Sequence, residues 1–183
     1  MALNKTDIRF EPGFYILLCI MILLVPIKWL ASWFLAVLVH ELFHYVAILI
    51  LKYNISYVCF SLTGVYMGTG DMTTAHELVV SFAGPMGSVL LVLFSKYMPM
   101  VSVCALLQSV YNLIPVYPFD GGRILRNLII LILRNKNVDR VVVLVEKVVL
   151  SVLVVVSVSI TVKYSLGLFP FVLLIPIFLK RDY

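Results

Sequence analysis

Two histidines four residues apart, His40 and His44, enclose a glutamate, Glu41, within a long apolar stretch of the chain. On a helix, residues four apart lie on one face, so both imidazoles could bind a single Zn²⁺ ion. Glu41 lies beside the pair, where its carboxylate could take a proton from a water molecule. Burial of ionisable side chains in hydrocarbon is costly, and their presence in an apolar segment therefore indicates a functional site.

A second polar stretch, residues 111–123, offers a third metal ligand. Pro115, Pro118 and a glycine pair interrupt any helix there, and a helix break beside an acidic residue is one way in which membrane proteins build polar sites. Asp120 would complete a set of two histidines and one carboxylate, with a fourth position open to water. The same residue could instead cap the next helix, because aspartate is a favoured N-cap.

Asn112 lies at the start of this stretch and has two candidate roles. Its amide could hold the substrate backbone or stabilise an oxyanion during catalysis. It could equally satisfy the carbonyl groups that the broken helix leaves free.

The composition indicates that these residues lie in a membrane. The chain has 183 residues, of which 63% are hydrophobic, whereas soluble domains are about 45–50% apolar. The apolar segments are long and continuous, which predicts helices rather than a barrel. No segment is polar enough to be a separate soluble domain, so we expect one domain over residues 1–183. The three cysteines form no CxxC motif, and neither disulfides nor a cysteine zinc site is indicated.

The sequence predicts an all-α polytopic membrane protein with about six transmembrane helices. The first two cover about residues 13–25 and 31–52, the third and fourth begin near residues 75 and 100, and the last two cover about 141–163 and 164–179. Between the second and third helices, residues 52–74 alternate in polarity and contain three glycines. This pattern predicts a short membrane-associated β-strand or hairpin. Residues 124–133 form a further apolar segment that we expect to be a helix reaching or lying at a membrane face.

The third predicted helix begins with Thr74-x-x-Glu77, a pattern typical of a capping box. His76, at the same end, is expected to be a solvated residue at the membrane interface. Further along, residues 82–88 combine small side chains with a proline. This cluster indicates close helix packing and a kink. A thin helix face of this kind could also lie against the helix that carries the histidine pair.

Basic residues are unevenly distributed between the predicted loops. With six spans and the N-terminus inside, the outer loops hold only Lys28, Lys96 and Lys163, whereas the cytoplasmic segments hold ten of the fourteen lysines and arginines. The positive-inside rule then places both termini in the cytoplasm. We therefore expect an integral multi-pass protein with an active site that opens to the cytoplasmic side. The same rule explains the basic residues without nucleic-acid binding.

Together these motifs resemble the site-2 protease family of intramembrane zinc metalloproteases. The resemblance rests on His40-Glu41-Leu42-Phe43-His44, on Phe82-Ala83-Gly84-Pro85 and on Asn112-Leu113-Ile114-Pro115 leading to Asp120-Gly121, and it covers about residues 30–134 as a catalytic core. It implies that His40, His44 and Asp120 hold one Zn²⁺ per chain and that Glu41 is the general base. It also implies a membrane-tethered protein substrate and a bacterial cell membrane. Membrane regulatory or inhibitory partners and a homo-oligomer are compatible with it.

Within that family, the short length and residues 118–123 are most similar to the stage IV sporulation protein FB branch. That branch cleaves a membrane-associated sigma-factor precursor in endospore formers. The sequence ends soon after the sixth predicted helix, so we expect no C-terminal CBS domain, which many sporulation members carry. Phe43 stands where the branch commonly has glycine, and Ser88 stands where the family often has asparagine.

Two other classes of protein use similar residues. A membrane transporter also places histidine, glutamate and aspartate at the midplane, but the two halves of this chain show no internal repeat. An inactive, zinc-stabilised scaffold that binds a partner helix is the other alternative. Glu41 argues against it, because a structural zinc site needs no general base and usually closes with four protein ligands. The sequence therefore favours a zinc metalloendopeptidase.

Overall fold

The computed structural model describes residues 6–61, 64–133 and 138–164. The chain divides into two compact units, Met1–Leu113 and Ile114–Tyr183, which are described in turn. The prediction of one domain over the whole chain stays a prediction.

The first unit contains four helices and a three-stranded sheet. In chain order these are β1 (Asp7–Phe10), α1 (Pro12–Leu24), α2 (Ile27–Ile50), β2 (Ile55–Ser61), β3 (Gly64–Thr69), α3 (Thr74–Leu93) and α4 (Pro99–Asn112). Proline occupies the first position of α1 and of α4, where its missing N–H has no intrahelical partner to lose. Pro26 precedes the first residue of α2.

Burial along α2 recurs at every fourth residue. The buried residues at this spacing are Ser32, Ala36, His40, His44 and Ile48. Towards the start of α2, Ala36 packs with Cys104 and Ala105 of α4. Towards its end, Ile48 packs with Ile55 and Val80. The two histidines therefore lie on the buried face of α2, between two apolar clusters that fix the rotation of the helix.

The sheet confirms the predicted hairpin and adds a strand to it. β2 pairs with β3 in antiparallel orientation, as the alternating pattern predicts. β1 pairs with the other edge of β2 in parallel orientation, at a position where no strand was predicted. Phe10 and Phe60 are partners in this pairing, and their stacked rings have centroids 4.9 Å apart. Contacts between aromatic side chains on one sheet face thus hold β1 in place.

Glu11 joins this sheet to the start of α1. Its Oε1 accepts a hydrogen bond of 2.6 Å from the Tyr66 hydroxyl and lies 3.7 Å from the Cys59 thiol, which donates to it. Hydrogen bonds with Cys59 and Glu11 raise the pKa of Tyr66 above its ordinary value. Glu11 directly precedes Pro12, so the cluster fixes the point at which the chain leaves β1 and enters α1.

The start of α3 differs from the prediction by one residue. Thr73, and not Thr74, is the N-cap, and its side chain accepts a hydrogen bond of 3.3 Å from the backbone N–H of His76. Adjacent threonines are equivalent in a sequence pattern, whereas only one of them has the extended backbone that a cap requires. The His76 ring is not only solvated, because its Nδ1 lies 2.9 Å from the Tyr53 hydroxyl.

The second unit contains α5 (Asp120–Leu133) and α6 (Val138–Tyr164), which pack against each other. The first turn of α5 lies on the preceding loop: a Cβ at Gly122 would be 2.5 Å from the backbone nitrogen of Tyr117. An exposed ion pair of 3.5 Å joins Arg126 of α5 to Asp139 of α6. The segment at residues 124–133 is thus part of a helix, as predicted.

Three of the described helices are long and apolar enough to cross a membrane. These candidate spans are Ile27–Ile50, Thr74–Leu93 and Val138–Thr161. The helix Pro12–Leu24 is apolar but has only 13 residues, fewer than the about 20 that a span requires. The sixth predicted helix, residues 164–179, lies almost entirely outside the described residues. The chain is therefore a helical membrane protein whose described residues contain three candidate spans, and the number six stays a prediction.

Candidate metal centre

His40 and His44 direct their Nε2 atoms towards one point. The two atoms are 3.2 Å apart, and the side chains are buried, with 1% and 9% of their surface exposed. In a tetrahedral Zn²⁺ site with Zn–N bonds of about 2.0–2.1 Å, two ligand nitrogens lie about 3.3–3.4 Å apart. The observed spacing is close to this value, so the pair suits a shared metal ion.

The other ring nitrogen of each histidine is anchored to α3. His44 Nδ1 lies 2.8 Å from the Val80 carbonyl oxygen, which can only accept, so Nδ1 carries the proton and donates it. His40 Nδ1 lies 2.9 Å from Ser88 Oγ, and Ser88 is completely buried. Histidine ligands of metals usually donate their second N–H to a carbonyl or another oxygen. When His40 Nδ1 likewise donates to Ser88 Oγ, both neutral rings present Nε2 as the ligand atom for a cation.

Gly84 of α3 leaves open the space beside these two nitrogens. A Cβ at this position would collide with His44 Nε2 and would lie 2.7 Å from His40 Nε2. One turn further along, a Cβ at Gly87 would be 2.6 Å from the Phe43 ring. The predicted close packing of this helix against α2 is thus confirmed. The glycine at position 84 provides room at the candidate ligand atoms, and the glycine at 87 accommodates Phe43.

Asn112, the last residue of α4, places its side chain at the histidine pair. Its Nδ2 lies 3.2 Å from His40 Nε2. Glu41 is half-buried and follows His40 on α2, about 100° further round the helix axis. The first unit thus brings both histidines and the Asn112 amide together, with Glu41 on the adjacent part of α2.

Asp120 is the first residue of α5 in the second unit and is 8% exposed. A carboxylate in the first turn of a helix is stabilised by the helix dipole. Asp120 is buried, as His40 and His44 are, and a carboxylate with two imidazoles is a common ligand set for a metal ion. Whether Asp120 serves as a ligand or as a helix-terminal charge stays a prediction.

Sequence reasoning did not assign a role to Ser88 or to the Val80 carbonyl. Ser88 was noted only as a departure from a family pattern. The signal in the sequence was its spacing: Ser88 follows Gly84 by four residues, and therefore lies on the same face of α3 as the glycine at the histidine pair. The carboxylate of Glu146, in the fifth predicted helix, contacts the backbone N–H of Tyr117, and the sequence does not predict that contact.

The described helices and the buried histidine pair define a membrane protein with a candidate metal centre. Among solved structures, the chain is similar to a site-2 protease from Methanocaldococcus jannaschii, with a TM-score of 0.63 and 22% sequence identity. The similarity covers 97% of this chain and 90% of that one. No family model matches the sequence, and no curated protein matches it. At this identity the comparison shows the fold, which is that of a site-2 protease.

Proposed function

We propose that the protein is an intramembrane zinc metalloprotease that hydrolyses a peptide bond in a membrane-embedded or membrane-tethered protein. The proposal is carried by the 3.2 Å approach of His40 Nε2 and His44 Nε2. This separation is close to that of two nitrogens that share one tetrahedral Zn²⁺ ion. Imidazole nitrogens with a carboxylate are a common ligand set of catalytic Zn²⁺. The site-2 protease fold is consistent with this function.

His40, His44 and Asp120 would hold the ion, with a fourth position open to the reactants. When bound, Zn²⁺ supplies a Lewis acid that polarises the scissile carbonyl and lowers the pKa of water to about 7. Glu41 removes a proton from the attacking water and delivers it to the amine as the C–N bond breaks. The Asn112 amide donates a hydrogen bond to the carbonyl oxygen as negative charge develops there.

A helical substrate must unwind before cleavage, because its backbone carbonyls are hydrogen-bonded within the helix. β3 is an edge strand, since the strand order of the sheet is β1-β2-β3. An extended peptide could pair with that edge through its main chain. Pairing with this edge strand would therefore hold the substrate peptide extended around the scissile bond.

Several finer assignments belong to the same proposal. Opening of the active site to the cytoplasm rests on the distribution of basic residues, and a bacterial cell membrane rests on the family resemblance. A sigma-factor precursor as substrate rests on the likeness of residues 118–123 to the sporulation branch.

The proposal is tested by comparing wild type with Glu41→Gln, both co-expressed with a panel of tagged single-pass membrane reporters. We expect a loss of cleavage by about 10²–10⁴-fold, the usual contribution of a general base, while bound zinc stays at one ion per chain. Glu77→Gln is a matched control, since Glu77 lies in the first turn of α3, and it should cleave as wild type does. Equal cleavage by wild type and Glu41→Gln would contradict the assignment. Zinc transport without cleavage would favour a transporter.

A further inference from the structure

A carboxylate on α6 contacts the loop that leads into α5. Glu146 Oε1 accepts a hydrogen bond of 2.9 Å from the backbone N–H of Tyr117. Glu146 lies within the candidate span Val138–Thr161. Ionisable residues in such a helix are costly and usually have a specific task. The contact indicates that the task of Glu146 is to hold this loop.

The Tyr117 N–H needs an acceptor from within the protein. Backbone groups of irregular segments in membrane proteins must find partners within the protein. Pro118, the next residue, has no N–H, and the Phe119 N–H is bonded to the Val116 carbonyl at 3.1 Å. A carboxylate is a stronger acceptor than a neutral carbonyl. Glu146 therefore fixes the middle of the loop more firmly than a backbone contact would.

The position of Tyr117 is transmitted to Asp120 by direct packing. Gly122 lies against the loop so closely that a Cβ there would be 2.5 Å from both Tyr117 N and Val116 C. Asp120 belongs to the same helical turn as Gly122. A displacement of the Tyr117 backbone would therefore move the first turn of α5, and with it the Asp120 carboxylate.

We propose that Glu146 is a positioning residue of the metal site, which holds the Asp120 carboxylate in the place that a metal ligand requires. This inference rests on the proposed function, in which Asp120 binds Zn²⁺. Residues that orient metal ligands typically contribute about 10–100-fold to metal affinity. Glu146 acts here through the loop backbone and is not one of the residues that would hold the ion.

The test measures Zn²⁺ affinity of the full chain in detergent by competition with a chelator. Glu146→Leu should weaken Zn²⁺ binding by about 10–100-fold, while Glu146→Gln, which keeps an acceptor oxygen, should bind within about threefold of wild type. Lys147→Leu is the matched control, because Lys147 is the exposed neighbour on α6, and its affinity should not change. The absorption spectrum of bound Co²⁺ should change in Glu146→Leu alone, since it reports the ligand geometry.

Each outcome decides between the two proposals. Wild-type affinity and an unchanged Co²⁺ spectrum in Glu146→Leu would overturn the role of Glu146. If Asp120→Ala also binds Zn²⁺ as wild type does, the ligand assignment of the proposed function fails instead. If Glu146→Leu does not fold, hydrogen exchange of the Tyr117 amide is measured in wild type and in Glu146→Gln instead. Slow exchange supports the contact between Glu146 and the Tyr117 N–H. Fast exchange in wild type overturns the role of Glu146.

Discussion

Ser88 Oγ lies 2.9 Å from His40 Nδ1, and neither residue has more than 1% of its surface exposed. The hydroxyl fixes the orientation of the ring and directs Nε2 towards His44. A serine in the middle of an apolar helix thereby determines the position of a candidate metal ligand.

Replacement of this hydroxyl should weaken zinc binding. We expect Ser88→Ala to lower Zn²⁺ affinity by about 10–100-fold, as is typical when the partner of a metal-bound histidine is removed. Ser81→Ala is the control: Ser81 is also buried on α3, but it donates to the Glu77 carbonyl. Chelator competition measures both. Equal affinities of the two variants would show that Ser88 does not orient the ligand.

A methyl group at position 84 should block the metal centre. In Gly84→Ala the new Cβ would occupy the space beside both Nε2 atoms, so we expect Zn²⁺ affinity to fall by about 100-fold. Gly70→Ala serves as the control, because a Cβ there meets no atom within 4 Å. Calorimetric titration with Zn²⁺ measures the difference. Undiminished binding by Gly84→Ala would place the ion elsewhere.

The neighbouring glycine should affect stability and not zinc. Gly87→Ala would push the Phe43 ring out of its place, and overpacking of this kind costs about 1–3 kcal/mol. The variant should unfold more easily in detergent while it retains one zinc ion per chain. A second substitution, Phe43→Ala, should cancel part of the cost of Gly87→Ala, because the two residues are in contact. Strict additivity of the two substitutions would argue against this packing.

The hydrogen bond between Tyr66 and Glu11 should contribute to stability in a pH-dependent manner. We expect Tyr66→Phe to lower the free energy of unfolding by about 1 kcal/mol, and Tyr97→Phe, at an exposed position, to leave it unchanged. Because folding raises the pKa of Tyr66, its contribution is complete below the unfolded pKa of about 10 and declines at higher pH. Equilibrium unfolding of wild type and Tyr66→Phe at neutral and alkaline pH measures this. A difference that grows above pH 10 would contradict it.

Asp120 can be tested for its two candidate roles with two variants. As a ligand, its replacement by alanine or by asparagine should lower bound zinc, since an amide is a poor ligand for Zn²⁺. If Asp120 only caps the helix, the variant Asp120→Asn should retain bound zinc, because asparagine is also a good cap. Elemental analysis of the purified variants distinguishes these outcomes. Full occupancy in both variants would assign Asp120 to the helix terminus.

The parts of the site that sequence could predict are local. His40 and His44 lie on one helix, where spacing alone places two side chains on one face. The hairpin β2–β3 was predictable for the same reason, because its strands are adjacent in the chain. Strand β1 was missed because its partner lies about fifty residues away, and four residues are too few for a distinct pattern.

The residues that support the site could not be assigned from the sequence, because their roles depend on packing between helices. Ser88 and Gly84 acquire their roles only when α3 lies against α2. Glu146 lies in a largely apolar helix, and its partner is a backbone N–H that no residue type reveals. A backbone donor in a distant loop leaves no signature in the sequence.

Zinc K-edge absorption of the purified full chain in detergent tests the histidine pair most directly. We predict about one zinc ion per chain, with scattering from two imidazole rings at about 2.0–2.1 Å, and loss of the imidazole signal in the double variant His40→Ala, His44→Ala. Two results would contradict the assignment of His40 and His44 as a zinc site. One is a protein that contains no zinc, both after purification without chelator and after addition of Zn²⁺. The other is a bound zinc ion that shows no imidazole scattering.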